Sequence, residues 1–185
     1  MTACRREGGR IPVKRKQGDV QVSYVGSYLW ALRQQVGSRP LLVPGAQVLL
    51  LDGAGRGLFQ RRADNGVWEL PAGACEEGSD FTGTAVRELA EETGLRVAPA
   101  DLEAFGSLSD PEVHTLTYPN GDVTHCFALC FWARRWSGEL SPGRDEVTGA
   151  QFRALADPPR PLHPPTAVVL EMFREFGSTG KFQAR

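Results

Sequence analysis

Lysine is close to absent from this chain: there are three residues against eighteen arginines, a skew that GC-rich coding produces as readily as function does. Cysteine is sparse too. The four, Cys4, Cys75, Cys126 and Cys130, have no C-x-x-C spacing and no neighbouring histidine pair, so they read as buried thiols rather than as a metal site or disulfide framework. No apolar run approaches the roughly 20 residues that a membrane helix requires. The basic N-terminus lacks the apolar segment of a signal peptide, so cytoplasmic residence is the default expectation. Charge of one sign is missing as well: a net charge of −1 over 185 residues makes no field that would draw in nucleic acid or a membrane. No internal repeat shows. What remains, 41% hydrophobic and 23% charged residues, is the composition of one soluble globular domain.

Residues 1–19 carry Arg5, Arg6, Arg10, Lys14, Arg15 and Lys16 against Glu7 and Asp19, with almost nothing to bury, and read as a disordered basic arm. Residues 20–38 hold a helix. In "YVGSYLWALRQQV", Tyr24, Tyr28, Leu32 and Val36 fall on one stripe with Leu29 alongside, and Gly37 is the stop. That helix is expected to pack on the domain or on a second copy in a homodimer. Residues 39–178 form the main domain. "AQVLLLD" and "RGLFQRR" read as two strands of a hairpin joined by "GAG", and "VWEL" follows the turn "ADNG". Further strands are expected near Leu102–Leu108, over "VTHCFALCFWARR" and over "TGAQFRAL". The second of these is apolar on both faces, so it should be central and covered by helices on each side. "PTAVVLEMFREFG" reads as a closing helix ended by Gly177. The expected fold class is α/β, one mixed sheet clasped between helices.

The stretch "LPAGACEEGSDFTGTAVRELAEETGL" carries the chemistry. Asp80 can cap a helix beginning at Phe81 and Gly94 can end it, with Phe81, Ala85 and Leu89 as the apolar stripe. Glu88, Glu91 and Glu92 then project from one side, where like charges repel by a few tenths of a kcal/mol per pair. A hard divalent cation, Mg²⁺ or Mn²⁺, relieves that repulsion and prefers oxygen ligands. The glycine-punctuated loop ahead of the helix delivers backbone groups beside the carboxylates, and loop and helix together describe a site for a metal-bridged phosphate.

These residues resemble the box of the Nudix hydrolase (MutT-like) family, G-x5-E-x7-R-E-U-x-E-E-x-G-U with U apolar: Gly73, Arg87, Glu88, Leu89, Glu91, Glu92, Gly94 and Leu95 fall in register. The resemblance covers residues 40 to 175. It implies an α/β/α sandwich and a hydrolase that cleaves a diphosphate bond in a nucleoside diphosphate derivative or triphosphate. Carried over, Glu88, Glu91 and Glu92 would bind Mg²⁺ or Mn²⁺, completed by the carbonyl of Ala72 or Gly73, and Arg87 would pair with box carboxylates. Ser79 stands where the family has its first glutamate, which leaves Arg87 short of a partner that Glu91, Glu76, Glu77 or Asp80 would replace. Ala72 stands where a second glycine is usual. Activity is therefore expected in weakened or metal-shifted form, and a non-hydrolytic nucleotide-binding sensor is the alternative. Glu146, then Asp145, is the expected general base. Either Arg61 or Arg62, but not both, should face a substrate phosphate, and Tyr118 and His125 are expected to line a base pocket. His114 and His163 read as exposed loop residues. The expected partner is a small nucleotide, with no membrane and no nucleic acid.

Overall fold

In "LLVPGAQVLLL" successive side chains are buried on opposite faces, Val48 and Leu50 in one apolar cluster, Leu49 and Leu51 in another. Only a strand with cover on both sides can do this. The computed structural model describes residues 25–118, 120–143 and 146–185; the basic arm, Tyr24 and Asp145 lie outside the described residues. In chain order the elements are α1 (Tyr28–Val36), β1 (Leu41–Leu50), β2 (Gly57–Arg62), β3 (Trp68–Glu69), β4 (Ala72–Ala74), α2 (Phe81–Thr93), β5 (Glu103–Leu108), α3 (Pro111–His114), β6 (Thr115–Thr117), β7 (Val123–Ala133), β8 (Val147–Arg153), α4 (Pro164–Thr179) and β9 (Gln183–Ala184).

One six-stranded mixed sheet runs β4-β1-β7-β5-β9, with β6 also on β7. Its spine is the parallel β1–β7 pair, in register from Leu41↔Thr124 to Leu50↔Ala133. Ala85 and Leu89 of α2 cover one face, while Val169 and Met172 of α4 cover the other beside Phe105 and Cys130. The α/β/α layering and the central, doubly covered "VTHCFALCFWARR" strand are as expected. Among the described residues no helix is long and apolar enough to cross a membrane.

The "GAG" hairpin is only half present. Asp52 N–H donates to the Arg56 carbonyl (2.9 Å) and Leu51 bridges Gly57, but the strands then part. β2 joins a separate three-stranded sheet, β3-β2-β8. The reason is that both edges of β1 are already taken, by β4 and by β7. The expected single sheet is thus two. The turn at Asn120-Gly121 forms as expected, with Tyr118 N–H donating to the Asp122 carbonyl at 2.9 Å.

Three helix expectations need correction. Gly177 does not end α4: the helix runs on to Thr179 and stops at Gly180 in the left-handed conformation. A glycine in a helix costs only about 1 kcal/mol, and Phe176, in the same turn, packs on Phe105. Phe81 is 39% exposed and belongs to neither apolar cluster, so the packing stripe of α2 starts at Ala85. In α1 the residue that is buried is Arg33, at 6% exposure, rather than Tyr28, which is exposed. A buried guanidinium must find acceptors. Arg33 donates to the carbonyls of Gly37 (3.1 Å) and Val123 (2.6 Å) and to Thr124 Oγ1 (3.2 Å). So α1 packs on its own domain, the first of the two alternatives.

Leu89 is fully buried between α2 and the sheet. Leu89→Ala should cost about 2–5 kcal/mol, read as a lower urea midpoint with an unchanged m-value.

Candidate active site

The site begins with a close approach. β4 pairs with β1 through Gly45↔Ala74, Ala46↔Gly73 and Gln47↔Ala72. A Cβ at Gly45 would lie 2.6 Å from the Gly73 carbonyl oxygen, and a Cβ at Gly73 would overlap the Glu88 carboxyl group. Two glycines therefore let the box helix lay Glu88 directly on the strand. Asp80 starts that helix by accepting from Gly83 N–H at 2.6 Å, and Gly94 ends it in the left-handed conformation, both as expected. Ala72 is a regular strand residue, and among the described residues no non-glycine residue has a positive φ, so alanine is no hindrance there. Its N–H donates to Glu92 Oε2 at 3.0 Å and ties that carboxylate to the loop.

Arg87 finds its ion-pair partners within its own helix. Its Nη2 lies 2.8 Å from Glu88 Oε1, its Nη1 donates to Glu91 Oε2 at 3.1 Å, and Nη2 also donates to the Ala74 carbonyl at 3.1 Å. Of the expected substitutes for the missing glutamate, only Glu91 engages Arg87. Glu76 instead accepts Tyr28 N–H (2.8 Å), Asp80 caps α2, and Ser79 is exposed. Arg87 Nε is buried without a hydrogen-bond partner.

Glu88, Glu91 and Glu92 line one cleft of about 300 Å³, and Glu69 of β3 and Glu146, just ahead of β8, join them. Their environments differ sharply. Glu91 has a 61%-exposed side chain, whereas Glu92 is 7% exposed. Burial pushes Glu88 up to about 7 against the pull of Arg87, with Glu91 and Glu146 adding repulsion. Burial also raises Glu92 well above the usual range, and Glu69 adds to this, while the Ala72 N–H eases it. Glu69 is raised by burial despite Arg62. The wholly buried Gln60 amide lies close enough to ease both Glu69 and Glu92 but makes no hydrogen bond of ordinary geometry.

Crowded carboxylates held above their ordinary pKa, with backbone oxygens of a glycine-bearing strand beside them, fit a hard divalent cation. Among the described residues no three acidic groups converge as a ready-made metal cage. Arg87 pairs with both Glu88 and Glu91.

The expected substrate contacts separate. Arg62 and Tyr118 line the cleft; Arg61 does not, and its Nε donates to the Gly66 carbonyl at 3.1 Å. Arg62 is held by Asp64 (2.8 Å) and Glu69 (3.2 Å); burial works against its charge, but these carboxylates more than offset it. Tyr118 is pushed up to about 12 by burial. His125 lies outside the cleft, its Nε2 2.7 Å from the Ser109 carbonyl oxygen and its ring against Phe127. Strand alternation explains this, since its neighbour Thr124 faces the cleft. Nor are the other histidines exposed loop residues. His114 is buried, Nδ1 3.3 Å from the Leu108 carbonyl oxygen, and burial lowers its pKa. His163 sits with Nδ1 3.5 Å from Glu69 Oε2; burial pushes it down to about 4, so this neutral imidazole forms no charge pair. Sequence reasoning missed Arg33, Gln60 and Glu69. For Glu69 a signal existed, a lone carboxylate between Trp68 and Leu70 on a strand.

Comparison with known proteins agrees with this geometry. A family model described as NUDIX domain matches residues 41–173. The chain is 38% identical over 97 residues to the NAD-capped RNA hydrolase NudC of Pseudomonas aeruginosa, covering 52% of this chain and 30% of that protein. It is 42% identical over 59 residues to an RNA pyrophosphohydrolase of Dinoroseobacter shibae, covering 31% of this chain and 37% of that one. It thus spans about a third of the length of these relatives. A crystal structure of a MutT NUDIX hydrolase from Burkholderia pseudomallei superposes with a TM-score of 0.55 at 25% identity, over 71% of this chain and 98% of that one.

Two outcomes follow from the site. Gly73→Ala should displace Glu88 and weaken divalent-cation binding, measured by calorimetry. Glu88 holds in the fold, up to about pH 7, a proton that an ordinary carboxyl with a pKa of 4.5 releases. Without metal, stability should therefore fall as pH rises from 4.5 to 7, and Glu88→Gln should flatten that slope in urea titrations.

Proposed function

Because the chain belongs to the NUDIX domain family, we propose that it hydrolyses a diphosphate bond in a nucleoside diphosphate derivative or nucleoside triphosphate with Mg²⁺ or Mn²⁺. The observation that carries this reading is the nesting of Glu88 on Gly73 beside the buried Glu92, in a cleft shared with Glu146. Glu88, Glu91, Glu92 and the carbonyl of Ala72 or Gly73 would hold the cation. Bound there, it would neutralise the diphosphate and make the attacking water more acidic. Arg87, paired with Glu88 and Glu91, supplies a counter-charge to these carboxylates.

Glu146, which lines the same cleft and repels Glu88, would take the proton of the attacking water, and Arg62 would keep its charge beside the incoming phosphates. The two relatives are named as an NAD-capped RNA hydrolase and an RNA pyrophosphohydrolase. For this chain, with a net charge of −1, a small nucleotide is the proposed substrate. A non-hydrolytic nucleotide sensor is the second reading, and the grip of Arg87 on Glu88 and Glu91 is the observation that favours it.

Nucleotide or phosphate release would be measured over a panel of nucleoside diphosphate derivatives and triphosphates, with Mg²⁺ and Mn²⁺ separately. Turnover should vanish in Glu92→Gln, and kcat should fall about 100-fold or more in Glu146→Gln. Tight nucleotide binding with no turnover in the wild type, unchanged by Glu92→Gln, would establish the sensor instead.

A further inference from the structure

The cleft has two ends of unlike chemistry. At one, Gln47 of β1 pairs with Ala72, beside Glu92. At the other, six residues back along β1, Leu41 pairs with Thr124. This second end is walled by Ser27 and Leu29 of the α1 segment and by Tyr118, Asn120 and Asp122 of the β6–β7 turn. α1 is pinned across it. The Tyr28 N–H donates to Glu76 at 2.8 Å, while Arg33 grips the start of β7 and its Nε lies 3.6 Å from Asp122 Oδ2.

Arg33 lies beside Asp122, and its two terminal nitrogens are spent on the carbonyls of Gly37, Arg39 and Val123 and on Thr124 Oγ1. A phosphate placed beside Asp122 and Glu76 would meet two carboxylates and a guanidinium, Arg33, whose terminal nitrogens are already engaged. A neutral group carrying hydroxyl or amino donors meets the opposite: acceptors, and an apolar Leu29 side chain to lie against. Asp122 Oδ2 takes the Asn120 amide at 2.9 Å, which leaves Oδ1 facing no hydrogen-bond donor among the described residues.

We propose that this end holds the uncharged half of the substrate, ribose or base, with Asp122 accepting its hydroxyl or amino hydrogens. Leu29 is the apolar wall, and Arg33 is the positioning residue that fixes Asp122 and α1. The inference rests on the diphosphohydrolase reading and gives that site its polarity: diphosphate toward Glu92, nucleoside toward α1.

The test is calorimetric titration, with Mg²⁺ present, of the four nucleoside monophosphates and of inorganic pyrophosphate into the wild type, Asp122→Ala and Leu29→Trp. Both variants should weaken the nucleotide that binds best by about tenfold or more and leave pyrophosphate within about twofold of wild type, the spread of ordinary context dependence. In turnover, Arg33→Lys should raise KM and leave kcat in place, because the ammonium cannot reach the separated acceptors at once. Nucleotide and pyrophosphate weakening together, or neither weakening, would overturn the inference alone. A wild type that binds neither ligand would overturn the diphosphohydrolase reading and this inference with it.

Discussion

Gly45 and Gly73 sit on facing strands with no room for a side chain between them, and the Glu88 carboxyl occupies the space that a residue at 73 would otherwise fill. That contact sets how closely α2 approaches β4. The approach brings the Ala72 N–H within hydrogen-bond range of Glu92 and the Ala74 carbonyl within range of Arg87. If the glycine were lost, helix and loop would move apart and each of these bonds would lengthen.

The same closeness creates the electrostatic problem on which the function turns. Glu69, Glu88 and Glu92 are drawn out of water near one another, and burial raises all three. Arg62 and Arg87 answer part of that charge, by pairing with Glu69 and Glu88. An arrangement that is costly when charged gains most from a divalent cation, because one ion offsets several carboxylates at once. With Ser79 exposed and uncharged, Arg87 has Glu88 and Glu91 as its ion-pair partners, and its Nε is buried without a hydrogen-bond partner.

Much of the fold was legible because it is local. Caps, turn glycines and alternation identified α2, the β6–β7 turn and the doubly covered β7, since each depends on residues a few positions apart. The failures were non-local. The "GAG" segment does turn, but whether its strands stay paired depended on β4 and β7 occupying both edges of β1. His125 was assigned to the cleft by its place in the right segment, and alternation along β7 turns it away while Thr124 faces in; of Arg61 and Arg62, only one of which could face the site, it is Arg62 that lines the cleft. Arg33 occupied a position in an amphipathic helix that carries no mark of burial, because the acceptors that bury it are far along the chain at Val123 and Thr124.

The sequence by itself determined the box: a helix with three carboxylates on one side, its two caps, and the glycine that precedes it. Those follow from spacing, because a 3.6-residue period and a short cap motif need no knowledge of the rest of the molecule. Tertiary structure alone decided which carboxylates are buried, which arginine faces them, and that α1 closes the far end of the cleft. Burial and pairing depend on what the remaining elements bring to the same place, and that is a property of the packed chain.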